Sequence, residues 1–259
     1  MRIDINAYLG LWDFRNPGID DPELLLAKEE EAGVDVAVVS APGGLVPDAT
    51  FESNEELLAR IEPYDDRLFL AARVDPAWDM AKQLEFLSRP RVAAIRLPAQ
   101  RKDDHRQQEA ELIGAASAAG LPVYLTLEVA HLWSVAEHME AEDVEPIVSS
   151  YPDAAFVLAG EGQFQYPCLR DVILSFNNVC LDTSRNCGLR VIEKYVGEFG
   201  AERVLFGTAA GILHPCVTRD RVEKARIEPD VREMVYSGNA LRLFKRLPPS
   251  SARAPSATV

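Results

Sequence analysis

Arg2-Ile3-Asp4-Ile5-Asn6-Ala7-Tyr8-Leu9-Gly10 opens the chain with a short apolar run that passes into polar residues. The same device returns along the sequence. After Arg2–Ile5 come Val34–Ser40, Leu68–Val74, Val92–Leu97, Val123–Leu127, Ala155–Ala159, Val179–Leu181 and Val204–Phe206. These runs are continuous rather than alternating, as expected for parallel strands covered on both faces. Helical patterns lie between them. Asp21-Pro22 supplies a cap followed by proline at the first helical position, and that pattern stops at Gly33. Ser53-Asn54-Glu55-Glu56 has the spacing of a capping box before Leu57-Leu58. Arg106 to Ala119 stops at Gly120, Gly188 to Phe199 stops at Gly200, and Glu228 to Arg246 holds the last helical pattern. Eight β-then-α units in order predict an α/β fold, a (β/α)8 TIM barrel, as one domain over residues 1–247. Residues 248–259 are rich in Pro, Ser and Ala without apolar period, which predicts a disordered tail.

Composition limits the partners. The 259 residues carry a formal net charge of -14. Phosphate backbones and anionic lipid would repel such a chain, so neither nucleic acid nor a membrane surface is an expected partner. No stretch approaches the ~18–20 apolar residues of a membrane span. The N-terminus enters a strand directly, with no charged-then-apolar signal region. No two of Cys168, Cys180, Cys187 and Cys216 are spaced Cys-x-x-Cys, and a core of this size needs no staples. Reduced thiols and a cytoplasmic location are the expectation.

Barrels of this kind place their sites at the C-terminal ends of the strands. The two-residue side-chain period then selects the residues that face the axis. Ile3 and Ile5 suit the helix-facing side of the first strand, which turns Asp4, Asn6 and Tyr8 inward or upward. Arg96 shares parity with Ala94, and Tyr124, Thr126 and Glu128 share one side of the fifth strand. Gly160 follows Leu158, and Ala209 follows Gly207.

Seven motifs in order carry a resemblance. They are Ile3-Asp4-Ile5-Asn6-Ala7-Tyr8-Leu9-Gly10, Val74-Asp75-Pro76, Ala94-Ile95-Arg96-Leu97-Pro98, Tyr151-Pro152-Asp153, Val179-Cys180-Leu181-Asp182-Thr183-Ser184, Ala201-Glu202-Arg203-Val204-Leu205-Phe206-Gly207-Thr208 and Gly238-Asn239-Ala240-Leu241-Arg242-Leu243-Phe244. From Arg2 to Leu247 the chain resembles the amidohydrolase-related family of the amidohydrolase superfamily, near its decarboxylase and lactonase-like branch. The resemblance implies a metal held by an Asp-x-His-x-His strand end, by histidines ending the fifth and sixth strands, and by an aspartate after the eighth. Those positions hold Asn6, Tyr8, Thr126, Gly160 and Ala209. An amide, a phenol, an alcohol and two residues without donor side chains are poor ligands for zinc, and the base that would activate a metal-bound water is missing. No metal and no other cofactor is therefore expected. A relocated metal site built from His131 and His214 with Glu128 or Asp182 is the alternative. In the family the segment holding Trp12 and Phe14 lids the site; packing within that loop is the simpler reading here.

What remains is a polar mouth. Arg96 is a permanent cation suited to forking onto a carboxylate, and Arg73 is expected to add a second charge. Asn6, Thr126, Asp182 and His214 are candidate substrate-binding residues beside them. Glu128, His131 and Tyr8 are the candidate proton-transfer groups. Paired barrel-mouth carboxylates such as Asp75 would account for the arginines structurally. The leading expectation is a non-catalytic barrel that binds a small carboxylated molecule or partners an active paralogue. The alternative is a metal-independent hydrolase, lactonase or decarboxylase acting on such a molecule. The family resemblance implies a homodimer.

Overall fold

Residues 1–11, 19–42, 50–98, 105–127, 139, 141–160 and 166–249 are described by the computed structural model. Glu128, His131, Trp12, Phe14 and tail residues 250–259 lie outside the described residues.

The strands are β1 (Ile3–Tyr8), β2 (Val36–Ser40), β3 (Leu68–Arg73), β4 (Val92–Arg96), β5 (Val123–Thr126), β6 (Phe156–Ala159), β7 (Val179–Asp182) and β8 (Val204–Leu205). The helices are α1 (Pro22–Glu31), α2 (Glu52–Ile61), α3 (Met80–Leu87), α4 (Arg106–Ala118), α5 (Ala141–Ser150), α6 (Tyr166–Ser175), α7 (Val191–Phe199), α8 (Pro215–Lys224), α9 (Pro229–Glu233) and α10 (Asn239–Leu243). All strands are parallel, paired in sequence order from β1 to β8. The ends of the sheet meet through backbone bonds: Ile5 N to Phe206 O at 3.0 Å, Ala209 N to Asn6 O at 2.8 Å and Tyr8 N to Ala210 O at 2.7 Å. The chain is thus a (β/α)8 barrel in one domain, as the strand runs predict. Among the described residues no helix is long and apolar enough to cross a membrane.

The core has two layers. Ala37, Val39, Leu68, Leu70, Leu125 and Leu181 face the helices. Val36, Val38, Phe69, Ala71, Tyr124 and Cys180 fill the barrel, together with Phe244 and Leu247 from the C-terminal segment. Tyr124 spans the interior to hydrogen-bond the Ile5 carbonyl, and its ring meets Phe244 edge-on at 6.2 Å.

The interior also corrects the parity of β1. Ile3 and Ile5 belong to the filled interior, not to the helix-facing side. Asp4 pairs with the outward-facing Ala37, so Asp4 faces out. The register slips between Asp4 and Ala7, where β1 advances three residues against two on β2. A bulge of this kind reverses the alternation, so Asn6 and Tyr8 still reach the axis. A second slip, between Leu70 and Ala71 of β3 against Val92 and Ala94 of β4, places Ala93 and Ala94 both inside and leaves Arg96 facing in.

Helix ends follow local chemistry with two departures. Asp21 caps α1 by accepting the Glu23 N–H, as its spacing predicts. The capping box at Ser53 does not form: α2 starts earlier, and the Ser53 hydroxyl donates to Thr50 O from inside the first turn. The last helical pattern is divided by a π-helical turn, Met234–Gly238, between α9 and α10.

Gly211 (φ +89°) lies against the barrel seam, where a Cβ would fall 2.1 Å from the Tyr8 carbonyl oxygen. Gly211→Ala is expected to destabilise the protein by about 2–3 kcal/mol through left-handed strain and overpacking. Chemical denaturation checks this; an unchanged midpoint would show that the seam relaxes freely.

Candidate functional site at the barrel mouth

Arg96 ends β4 with its side chain inside the barrel and only 2% exposed. A buried guanidinium needs hydrogen-bond partners. Its Nε donates to Ser40 Oγ at 3.3 Å, one terminal nitrogen to Thr126 Oγ1 at 2.7 Å and the other to Asn6 Oδ1 at 3.0 Å. The guanidinium carbon lies 4.8 Å from the Tyr124 ring centre and 5.6 Å from that of Tyr8. All three hydrogen-bond partners are neutral. A guanidinium has five N–H donors, so among the described residues two are left without a partner.

Asn6 links this cation to an acid. Its amide nitrogen donates to Asp182 Oδ2 at 2.7 Å, and lies 3.4 Å from Ser184 Oγ. Ser184 Oγ donates to Asp182 Oδ2 at 2.8 Å and the Gly160 N–H to Oδ1 at 3.2 Å. The approach of Asp182 to Asn6 depends on Gly207: a Cβ there would lie 2.8 Å from Asp182 Oδ2. Burial pushes the Asp182 carboxyl up from its ordinary value, against the opposing hydrogen bonds of Ser184, Asn6 and Gly160. Burial likewise raises the Tyr8 phenol, with Arg96 opposing.

Arg73 is the register partner of Arg96 on β3, and is also buried. Asn54 brackets its backbone, accepting from Arg73 N at 3.0 Å and donating to Arg73 O at 2.7 Å. The Arg73 side chain stands 3.8 Å from Asp75 and 5.9 Å from the Trp78 ring centre. Two cations therefore end neighbouring strands.

The structure thus brings Asn6, Tyr8, Arg96, Thr126 and Asp182 together, with Arg73 beside them. His214 stands apart. It caps α8, accepting the Cys216 N–H, and faces Glu31 of α1 in the outer layer. Gly160 contributes its backbone rather than a side-chain position, because Ala159 is the last interior residue of β6. Ala209 has φ 55°, in the left-handed region, and is held there by turn bonds from Ile212 N and Leu213 N to its carbonyl.

Ser40 belongs to the site without having been singled out for it, whereas Tyr124 joins it from the side of β5 that the sequence pairs with Thr126, and Ser184 joins it from the run after Asp182. Ser40 was visible as the polar end of an apolar run. Also missed was Glu29, fully buried on α1 without a hydrogen-bond partner among the described residues. It lies beside Asp4, whose carboxylate takes the Thr208 hydroxyl and the Thr208 N–H, the latter at 2.9 Å. The sequence signal was an acid four residues after Leu25 on the apolar face of α1.

Among the described residues, the implied ligand positions at the mouth do not fit a divalent metal. Among the described residues at the implied ligand positions, the Asn6 and Thr126 oxygens are turned to Arg96, the Tyr8 phenol is held protonated, and Gly160 and Ala209 offer no side-chain donor. Asp182 is the one carboxylate in the network, and an added cation would face Arg96.

The chain is thus an eight-stranded parallel (β/α)8 barrel whose strand ends gather buried charge. Residues 2–246 match the family model described as amidohydrolase, and the chain belongs to that family. No curated protein matches it by sequence. Among solved structures it is similar to 2,6-dihydroxybenzoate decarboxylase from Rhizobium (15% identity, 94% of this chain and 98% of that one, TM-score 0.73). It is also similar to 5-carboxyvanillate decarboxylase from Sphingomonas paucimobilis (14%, 94% and 98%, TM-score 0.67). A third is a probable 2-pyrone-4,6-dicarboxylic acid hydrolase from Acinetobacter baumannii, solved with citric acid bound (11%, 94% and 99%, TM-score 0.69).

Burial raises both Asp4 and Glu29, the latter well above its ordinary value of 4.5. The folded chain therefore holds these protons more tightly than the unfolded chain. Their stabilisation is complete below the ordinary carboxylate range and is lost as pH rises through the raised folded values. Glu29→Gln is expected to flatten the loss of stability as pH rises from the ordinary carboxylate range through the raised folded value. Unfolding curves across that range check it; parallel profiles for the two proteins would contradict it.

Proposed function

We propose that this barrel binds a small carboxylated aromatic molecule at its mouth, held by Arg96 rather than by a metal, and that it does so without turnover. The carrying observation is that, among the described residues, a buried guanidinium meets only neutral hydrogen-bond partners and keeps two donors spare. A carboxylate supplies both the missing negative charge and the geometry for a two-pronged bond. Tyr8 and Tyr124 lie against the same guanidinium and favour a flat ligand. Arg73 adds a second positive group on the adjoining strand. The names of the similar structures agree with this class, since two act on carboxylated aromatics. Asn6, Thr126 and Asp182 set the orientation of Arg96. Glu128 and His131, as expected proton-transfer groups, and His214, as an expected binding residue, are tested by substitution alongside them. A barrel lacking its own metal also suits assembly with a second copy or with an active paralogue in the cytoplasm, which native mass spectrometry reports.

A second reading is favoured by Asp182. Burial pushes the Asp182 carboxyl up from its ordinary value, and in its protonated form it would deliver a proton to the ring carbon of an arylcarboxylate as the carboxyl carbon–carbon bond breaks and CO2 leaves. That makes the chain a metal-independent decarboxylase; hydrolysis of a lactone is the related possibility for the same mouth.

Chelator-treated protein is expected to bind 2,6-dihydroxybenzoate in calorimetry. Arg96→Met should weaken binding by about 10- to 100-fold, the loss of one charge-assisted hydrogen-bonded pair, with Arg96→Lys intermediate. Binding unchanged in a folded Arg96→Met protein removes Arg96 from the site. CO2 release from the same ligand, abolished in Asp182→Asn, would replace the non-catalytic reading with the second one.

A further inference from the structure

Away from the mouth, α8 opens with His214-Pro215-Cys216. His214 is its N-cap, and its Nδ1 lies 3.4 Å from the Cys216 backbone nitrogen, a long and weak hydrogen bond. Its Nε2 stands 3.5 Å from Glu31 Oε2 at the end of α1. A ring nitrogen of His214, the Cys216 sulfur and a Glu31 carboxylate oxygen all lie within 4.8 Å of one another. We propose that Glu31, His214 and Cys216 form a zinc site in the seam between α1 and α8, separate from the barrel mouth.

Donor chemistry supports zinc. Thiolate, imidazole and carboxylate are its usual ligands, with metal–sulfur distances of about 2.3 Å and metal–nitrogen or metal–oxygen distances of about 2.0–2.2 Å. Tetrahedral angles at those lengths separate ligand atoms by roughly 3.3–3.6 Å, and the Nε2–Oε2 pair already stands at 3.5 Å. Closing the set requires the sulfur to draw in and the ring to give up its weak bond to the Cys216 N–H. Both moves are accessible because Glu31 and His214 are exposed and Cys216 is half-buried. Exposure also leaves the fourth position to water. Lys28 binds the other oxygen of Glu31 at 2.6 Å, which keeps the carboxylate charged and leaves Oε2 toward the histidine.

The surroundings are consistent with an added cation. The buried carboxyl of Glu29 lies on the same helix, two residues before Glu31. The charged groups facing this seam are Lys28 and Arg219 on one side and Glu29, Glu31 and Asp220 on the other, and Arg219 is already committed to Asp220 at 2.7 Å. The residues come from two segments far apart in sequence, so a bound ion would tie α8 to α1.

The test is cobalt titration of chelator-stripped, reduced protein, followed by zinc competition. The expected result is one bound Co2+ with a sulfur-to-cobalt charge-transfer band, displaced by Zn2+. C216S should abolish the band and H214A should weaken zinc binding by at least about 10-fold, the scale of losing one donor. C168S and C187S should retain both. Absence of stoichiometric binding in a wild-type protein that is folded by circular dichroism overturns the proposal, as does a band that survives in C216S.

Discussion

A guanidinium buried in a barrel must find hydrogen-bond partners, and that requirement on Arg96 organises the mouth of this protein. Ser40 from β2, Thr126 from β5 and Asn6 from β1 each turn an oxygen to it. Asn6 then has only its amide hydrogens left, and these reach Asp182 on β7. One side chain on β4 thereby links strands from both halves of the barrel. Gly207 keeps the space that lets the chain of bonds close. The residues at implied metal-ligand positions are therefore not idle replacements. Two of them serve a cation that the polypeptide itself supplies.

The same geometry explains the sharing of labour across β1. The bulge between Asp4 and Ala7 lets one strand fill the barrel floor with Ile3 and Ile5, send Asp4 outward to Thr208 and Glu29, and still present Asn6 and Tyr8 to the axis. The outward acid is anchored where β1 meets the segment after β8, next to the backbone bonds that close the barrel. Buried carboxyl groups there cost stability when ionised, which places a pH-sensitive point at the closure of the fold.

The barrel was legible because eight apolar runs separated by helical patterns admit few other parallel arrangements. Arg96 was legible because a lone arginine ended an apolar strand, and Thr126 and Asn6 followed from strand ends. The orientation of Ile3, Ile5 and Asp4 was not legible, since a bulge is defined by pairing against β2 and leaves no mark on the alternation itself. Glu29 was hidden for a related reason: an acid on an apolar helix face reads as surface until its neighbours are known. The Ser53 capping box failed because α2 begins at Glu52, two residues too early for the serine to cap it. His214 follows the eighth strand in sequence, yet its turn carries it outward to α1.

The account rests on a protein-borne cation taking the place of a metal at the mouth. A crystal structure of chelator-treated protein with 2,6-dihydroxybenzoate tests this most directly. The account predicts the carboxylate within about 3 Å of the Arg96 terminal nitrogens, with the ring against Tyr8 or Tyr124. A carboxylate bound to a divalent ion at the mouth, or a ligand seated elsewhere with Arg96 untouched, would contradict it.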